Sequence, residues 1–436
     1  MTAPRLPNLF RVPELKEKII FTFICLLVYR GGAHIATPWV NIQVLADFMR
    51  NQSQTLFGAY DLFVGGGLSR ATVLALGIMP YISASIMFQL GGAVFPTIDK
   101  MQKEEEGRKK ITQWTRYLTV VLSIFQAYGF AIFTESLPGA VTYPGWGFRV
   151  VTILTLTTGA VFVMWLGEQI TERGIGNGMS LLIFFSIMQG MWPGIGKTLE
   201  FLRTGVIDLL ALVVLLTVMV GVVAGVVAIT VAARRIPIQI PRKVMGRGRI
   251  REGQKTFIPI RINSSGVMSI IFAQSIIIVP GTLATFSTIP ALKNFAEAFQ
   301  PGTVWYYVTY ALLIVFFTYF YTSIIFNPVD LAENLKKQGG FVPGVKPGAA
   351  TADYIDEVLT RVTLPGAAFL CIVALLPFFV LDAFNVPFYF GGTALLIVVG
   401  VGLDTIVQVQ QHLHLRHYDD FMKKGRIKFR GRRRFM

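Results

Sequence analysis

The chain has 436 residues, of which 53 % are hydrophobic and 15 % charged, and its formal net charge is +16. Soluble domains carry about 25 % charged residues, so this composition cannot clothe a water-exposed surface and implies an integral membrane protein. Cys25 and Cys371 lie far apart, each in an apolar run, and both read as small buried apolar residues rather than as a disulfide framework or zinc cluster.

The first 18 residues are polar and basic, and the apolar run behind them is too long for the core of a cleavable signal peptide. A helix needs about 20 apolar residues to cross a ~30 Å hydrocarbon core. Ten segments qualify: 19–35, 71–93, 114–133, 149–166, 179–195, 206–232, 265–286, 304–326, 363–383 and 388–407. The fifth is the weakest, because it contains Gln189, Gly190 and Pro193. Ten spans put both chain ends on one side. The tails and the loops sharing that side hold 33 of the 40 basic residues, leaving 7 elsewhere, which predicts cytoplasmic termini by the positive-inside rule.

Several segments do not fit a plain bundle. The stretch 56–69 (LFGAYDLFVGGGLS) is too short to cross, carries Asp61 and breaks at Gly65-Gly66-Gly67. It reads as a re-entrant piece lining a cavity or as a flexible outer loop. In the cytoplasmic loop 233–263, Ile236, Ile238 and Ile240 alternate, as do Ile258, Ile260 and Ile262, around Arg247, Arg249 and Arg251. That period of two predicts a β-hairpin finger whose prolines mark edge strands. Its nine basic residues suit ribosomal RNA phosphates or an acidic protein surface, or serve orientation alone. The loop 327–363 predicts a helix over 330–338, Gly339-Gly340, and rigid turns at 341–348 (FVPGVKPG) that present Lys346, with Arg361 near the loop's end. The tail 416–436 mixes nine basic residues with Tyr418, Phe421, Phe429 and Phe435, suited to anionic lipid headgroups or to ribosomal RNA.

No catalytic or cofactor pattern survives inspection. The string GIGKT (194–198) resembles the end of a phosphate-binding loop, but Met191 stands where that motif needs glycine. His412, His414 and His417 lack carboxylate neighbours, and His34 is the one other histidine, so no enzyme, metal or cofactor is expected. Ion-coupled carriers bury acids near the midplane, whereas Arg30, Glu168, Asp382 and Asp404 all lie towards span ends. Aliphatic stripes recur instead, at Ile78, Ile82 and Ile86 and at Met179, Ile183 and Ile187. Such stripes are the default of any membrane helix, yet a ring of them would form a dewetted constriction.

Four strings resemble the SecY/Sec61 alpha family of protein-conducting channels. They are GIMPYISASI (77–86), WLGEQITERGIGNG (165–178), FVPGVKPG (341–348) and VPFYFGGT (386–393). The resemblance implies an all-α polytopic membrane protein with ten transmembrane helices in two inverted five-helix halves, 19–196 and 197–410, around an hourglass pore. These would lie between the cytoplasmic N-tail 1–18 and the basic tail 411–436. The repeat is not visible in the sequence itself. The family's pore ring falls on Ile78, Ile82, Met179, Ile183, Ile271 and Ile397, with methionine where isoleucine is usual. The plug falls on 56–69, including Phe57, Gly58, Asp61, Leu62, Gly65 and Gly66. The lateral gate falls between spans 2, 3, 7 and 8, with Ser83, Gln126 and Ser275 placed to hydrogen-bond across it. The implied partners are SecE and SecG, the SecA ATPase or a translating ribosome with its ribosomal RNA, signal sequences and nascent polypeptides, and membrane lipids, all at a bacterial plasma membrane. Docking would use Arg247, Arg249, Arg251, Lys346 and Arg361; lysine at 346 departs from the family's usual arginine and loses its planar fork. The alternative, a secondary solute transporter of another fold, would need a midplane polar site.

Overall fold

The computed structural model describes residues 13–51, 56–205, 208–239, 243–245, 249–251, 255–263, 265–286, 302–384 and 392–424. Before the hairpin the helices are α1 Pro13–Gly32, α2 Ile42–Asn51, α3 Leu56–Phe63, α4 Met79–Val94, α5 Pro96–Lys103, α6 Glu105–Ser136, α7 Trp146–Arg173, α8 Gly178–Arg203 and α9 Leu209–Val231. The strands are β1 Ala233–Gln239, β2 Lys243–Met245, β3 Arg249–Arg251 and β4 Lys255–Arg261. After them come α10 Met268–Phe286, α11 Val304–Ile325, α12 Pro328–Lys337, α13 Ala349–Phe384 and α14 Gly392–Lys424. Each expected span overlaps one of these helices, in part or in whole. Among the described residues, six helical stretches are by themselves long and apolar enough to cross a membrane, and α4 with α5, bent by 110°, makes a seventh. The GIGKT string lies inside α8, not in a loop.

The second span departs from the expected helix over 71–93. Its first half is a chain of turns, and α4 begins at Met79 with Pro80 in its first turn, where a missing N–H costs no hydrogen bond. Positive φ at Gly65 (71°), Gly66 (79°), Ala71 (46°) and Gly77 (55°) breaks the approach to it, since a right-handed helix cannot absorb such residues. Irregular backbone at membrane depth needs partners within the protein, and here it has them. Thr37 N–H donates to Ala71 O at 2.7 Å, Val73 N–H to Ile35 O at 2.8 Å, and Thr72 N–H to Gly67 O at 2.9 Å. The stretch also presses on α7 at Gly159, where a Cβ would come within 1.9 Å of the Val73 carbonyl oxygen.

The hairpin expected from the alternation forms. Strands β1 and β4 pair antiparallel, with Ile236 opposite Ile258 and Ile238 opposite Thr256, and β2 pairs with β3 further out. Ile236, Ile238 and Ile260 are buried. Ile236 and Ile260 form a small core with Val342, Ile355 and Leu359, which belong to the 327–363 loop and the start of α13. Gln239 and Phe341 exchange backbone hydrogen bonds at 3.0 Å in both directions. The hairpin and the 327–363 loop are therefore one platform. Within it α12 starts at Asn327, whose side chain accepts from Val329 N–H, as an N-cap asparagine does.

Candidate functional site

Helices α4, α8, α10 and α14 bring their aliphatic residues into one core. Ile78, Ile82, Ile183, Ile271 and Ile397 all belong to it, and Met179 packs against it half-buried. Ile82, Met179, Ile183 and Ile271 also line a cavity of about 360 Å³. Met268 and Phe272 line it too, together with the polar side chains of Ser85, Gln89, Arg116, Glu168 and Tyr321. Arg116 and Glu168 are ion-paired at 2.8 Å across α6 and α7. Aliphatic side chains such as those lining the cavity offer solutes no hydrogen-bonding group and resist wetting.

Against that core sits 56–69, packed inside the protein rather than trailing into solvent. Tyr60, Phe63, Val64 and Leu68 are buried, and α3 packs on α8 and α10. Asp61 Oδ1 accepts from the Leu68 and Ser69 N–H groups at 2.9 Å each, closing the loop around the glycines. Tyr60 Oη donates to Leu76 O at 3.0 Å. Leu62 abuts Gly190, where a Cβ would fall 2.7 Å from its Cδ1. Gly58 is half-buried within α3, whereas the side chain of Phe57 lies outside the described residues.

Helices α4 and α6 both pack against α10. Ser83 and Ser275 do not bond across this seam. Ser83 donates to Met79 O at 3.0 Å and Ser275 to Ile271 O at 2.7 Å, because a helical serine finds its nearest acceptor one turn back. Gln126 is buried, and its carboxamide oxygen has no partner among the described residues. The bond from α4 to the C-terminal half comes instead from Tyr321 of α11, which donates to Gln89. Gln89 in turn donates to Ser85 at 2.9 Å, and the Tyr321 ring meets Phe272 of α10 edge-on at 5.0 Å. Sequence reading missed this pair. A glutamine inside an apolar span was the available signal, but nothing in the sequence named its partner.

The proposed docking residues are scattered over the platform. Arg249 and Arg251 lie on β3 opposite Met245 and Lys243, Lys346 is exposed in the turns after α12, and exposed Arg361 on α13 pairs with Glu357 one turn back. Arg247, the 287–301 stretch, 386–391 and the tail beyond Lys424 lie outside the described residues. Among the described residues no group of three His, Cys, Asp or Glu could hold a metal ion.

Six or seven apolar helical stretches of membrane-spanning length among the described residues, sharing one large aliphatic core into which 56–69 is folded, define a polytopic helical membrane protein. The chain matches the SecY family model over residues 72–406, and it belongs to that family. The protein translocase subunit SecY of Aquifex aeolicus (strain VF5) is 44 % identical over 427 residues, 96 % of this chain and 99 % of that one. The SecY subunit of Escherichia coli (strain K12) is also 44 % identical, over 96 % of each chain. A solved structure described as "The structure of a protein conducting channel" superposes with a TM-score of 0.66 at 18 % identity, over 98 % of this chain and 100 % of that one. A second, "Sec61 in the Canine ribosome-channel complex from the endoplasmic reticulum", gives 0.61 at 18 % identity over the same shares. The fold is that of the SecY and Sec61 channels, a multi-pass membrane architecture, and the chain is not an enzyme.

Proposed function

We propose that this chain is the channel through which unfolded secretory polypeptides cross the bacterial plasma membrane, and from which transmembrane segments pass sideways into lipid. The observation that carries this is that Ile78, Ile82, Ile183, Ile271 and Ile397 share one buried core with Tyr60, Phe63, Val64 and Leu68 of 56–69. A seal without polar groups excludes ions yet does not hold a strand of arbitrary sequence. In this reading Ile78, Ile82, Met179, Ile183, Ile271 and Ile397 are the pore ring, and 56–69 is the plug. The seam of α4 and α6 against α10 is the lateral gate that a signal sequence parts, with Ser83, Gln126 and Ser275 along it. Crosslinking to a stalled secretory nascent chain tests the reading: photoreactive groups at 82, 183 and 397 capture the chain, and capture from lipid-facing positions alone would sink it.

The driving energy comes from outside the chain. We infer that SecA or a translating ribosome docks on the platform, that SecE and SecG complete the complex, and that both termini face the cytosol. Three arginines at the finger's end favour an anionic partner beyond what orientation requires. Reversing Arg247, Arg249 and Arg251 to glutamate is expected to weaken SecA or ribosome binding about tenfold or more at physiological salt, since contacts to phosphates and acidic surfaces become repulsions. Assembly with SecE should be unchanged. Unaltered binding would return the loop to a purely topological role.

A further inference from the structure

Tyr29, near the end of α1, buries its hydroxyl within 2.7 Å of Ser186 Oγ on α8, and either oxygen can be the donor. The same hydroxyl lies 3.4 Å from the Val64 carbonyl oxygen, in the first turn after α3. Ser186 Oγ has a second acceptor within reach, Leu182 O at 2.9 Å. Beside them Arg30 donates to Gln189 Oε1 at 2.6 Å. That oxygen and Ser186 Cα each sit 3.2 Å from where a Cβ on Gly65 would be. Gly65 has φ of 71°, so the turn enters this niche only as glycine.

We propose that Tyr29 and Ser186 form a two-position hydrogen-bond seat that holds the 64–65 turn and lets it leave without stranding a buried donor. The inference rests on reading 56–69 as the plug. Each hydroxyl has one proton to give. With the turn seated, Ser186 donates to Tyr29 Oη and Tyr29 donates to Val64 O. When the turn departs, Ser186 swings to Leu182 O and Tyr29 donates to Ser186 Oγ. Every hydroxyl proton is paired in both states, so unseating forfeits one long bond only. A buried donor left alone would resist unseating far more strongly.

The two residues therefore act with opposite signs. Tyr29→Phe removes the donor to Val64 and loosens the seat. Ser186→Ala leaves Tyr29 no acceptor but Val64 O, so departure strands its proton and the seat tightens. The readout is the rate at which a membrane-impermeant maleimide, added from outside, modifies Val64→Cys in a Cys25→Ala, Cys371→Ala background of the assembled complex. That side chain is buried and reacts when the turn leaves. In resting channels Tyr29→Phe is expected to raise the rate about threefold and Ser186→Ala to lower it about fivefold. Rates moving in the same direction, or not at all, would overturn the seat and leave Tyr29–Ser186 as a tie between α1 and α8. A stalled translocating chain serves as the independent check: if it fails to raise labelling at 64, the plug reading itself is wrong and the seat falls with it.

Discussion

Replacing Ile82, Ile183 and Ile397 together with serine is expected to make the resting channel conduct small ions, raising its closed-state conductance at least tenfold. The three come from α4, α8 and α14, and all are buried. Each isoleucine withdrawn from water contributes about 1.5–3 kcal/mol. A serine hydroxyl at the same place binds water instead, so the constriction wets. Selectivity should loosen with the seal, letting proteins with weak signal sequences through. Single-channel recording in planar bilayers reads the effect, and the matching triple leucine variant should stay tight because it keeps the apolar surface. A serine triple variant as tight as the parent would place the constriction elsewhere.

Gly159→Ala is expected to abolish most of the folded protein. A Cβ there would lie 1.9 Å from the Val73 carbonyl oxygen and 2.8 Å from its carbon. Those are backbone atoms of the irregular half of the second span, already fixed by hydrogen bonds to 35–37, so neither side gives way cheaply. Ordinary overpacking costs about 1–3 kcal/mol, and an overlap this deep against backbone belongs at or beyond the upper end. Monodisperse yield after extraction and the thermal midpoint of what remains are the measurements. A wild-type midpoint would mean that 71–78 does not press on α7.

The helices were legible wherever apolar length decides the matter, as in α6, α7 and α13. The finger was legible because Ile236, Ile258 and Ile260 keep a period of two, and no helix buries that pattern. The start of α4 was not. Residues 71–78 are as apolar as the helix that follows them, and hydropathy does not register positive φ at Ala71 or Gly77. Ring residues could be read as stripes on separate helices, but their convergence on one core became nameable only through the family resemblance. Contacts between distant polar residues were the hardest to see. Gln89 and Tyr321, like Tyr29 and Ser186, are paired by packing, and hydroxyls and carboxamides in apolar runs carry no sequence mark of their partners.

The bridge between Gln239 and Phe341 has a mechanical consequence. With the small core beneath it, it makes the base of the finger and the 327–363 loop one stiff body, so a load on one is borne by both. That body is joined at one edge to α11, which ends at Ile325, one helical turn beyond Tyr321. Under the docking proposed above, a partner resting on the finger would therefore load the 327–363 loop as well. The platform thus continues directly into the helix whose Tyr321 bonds to Gln89 of α4.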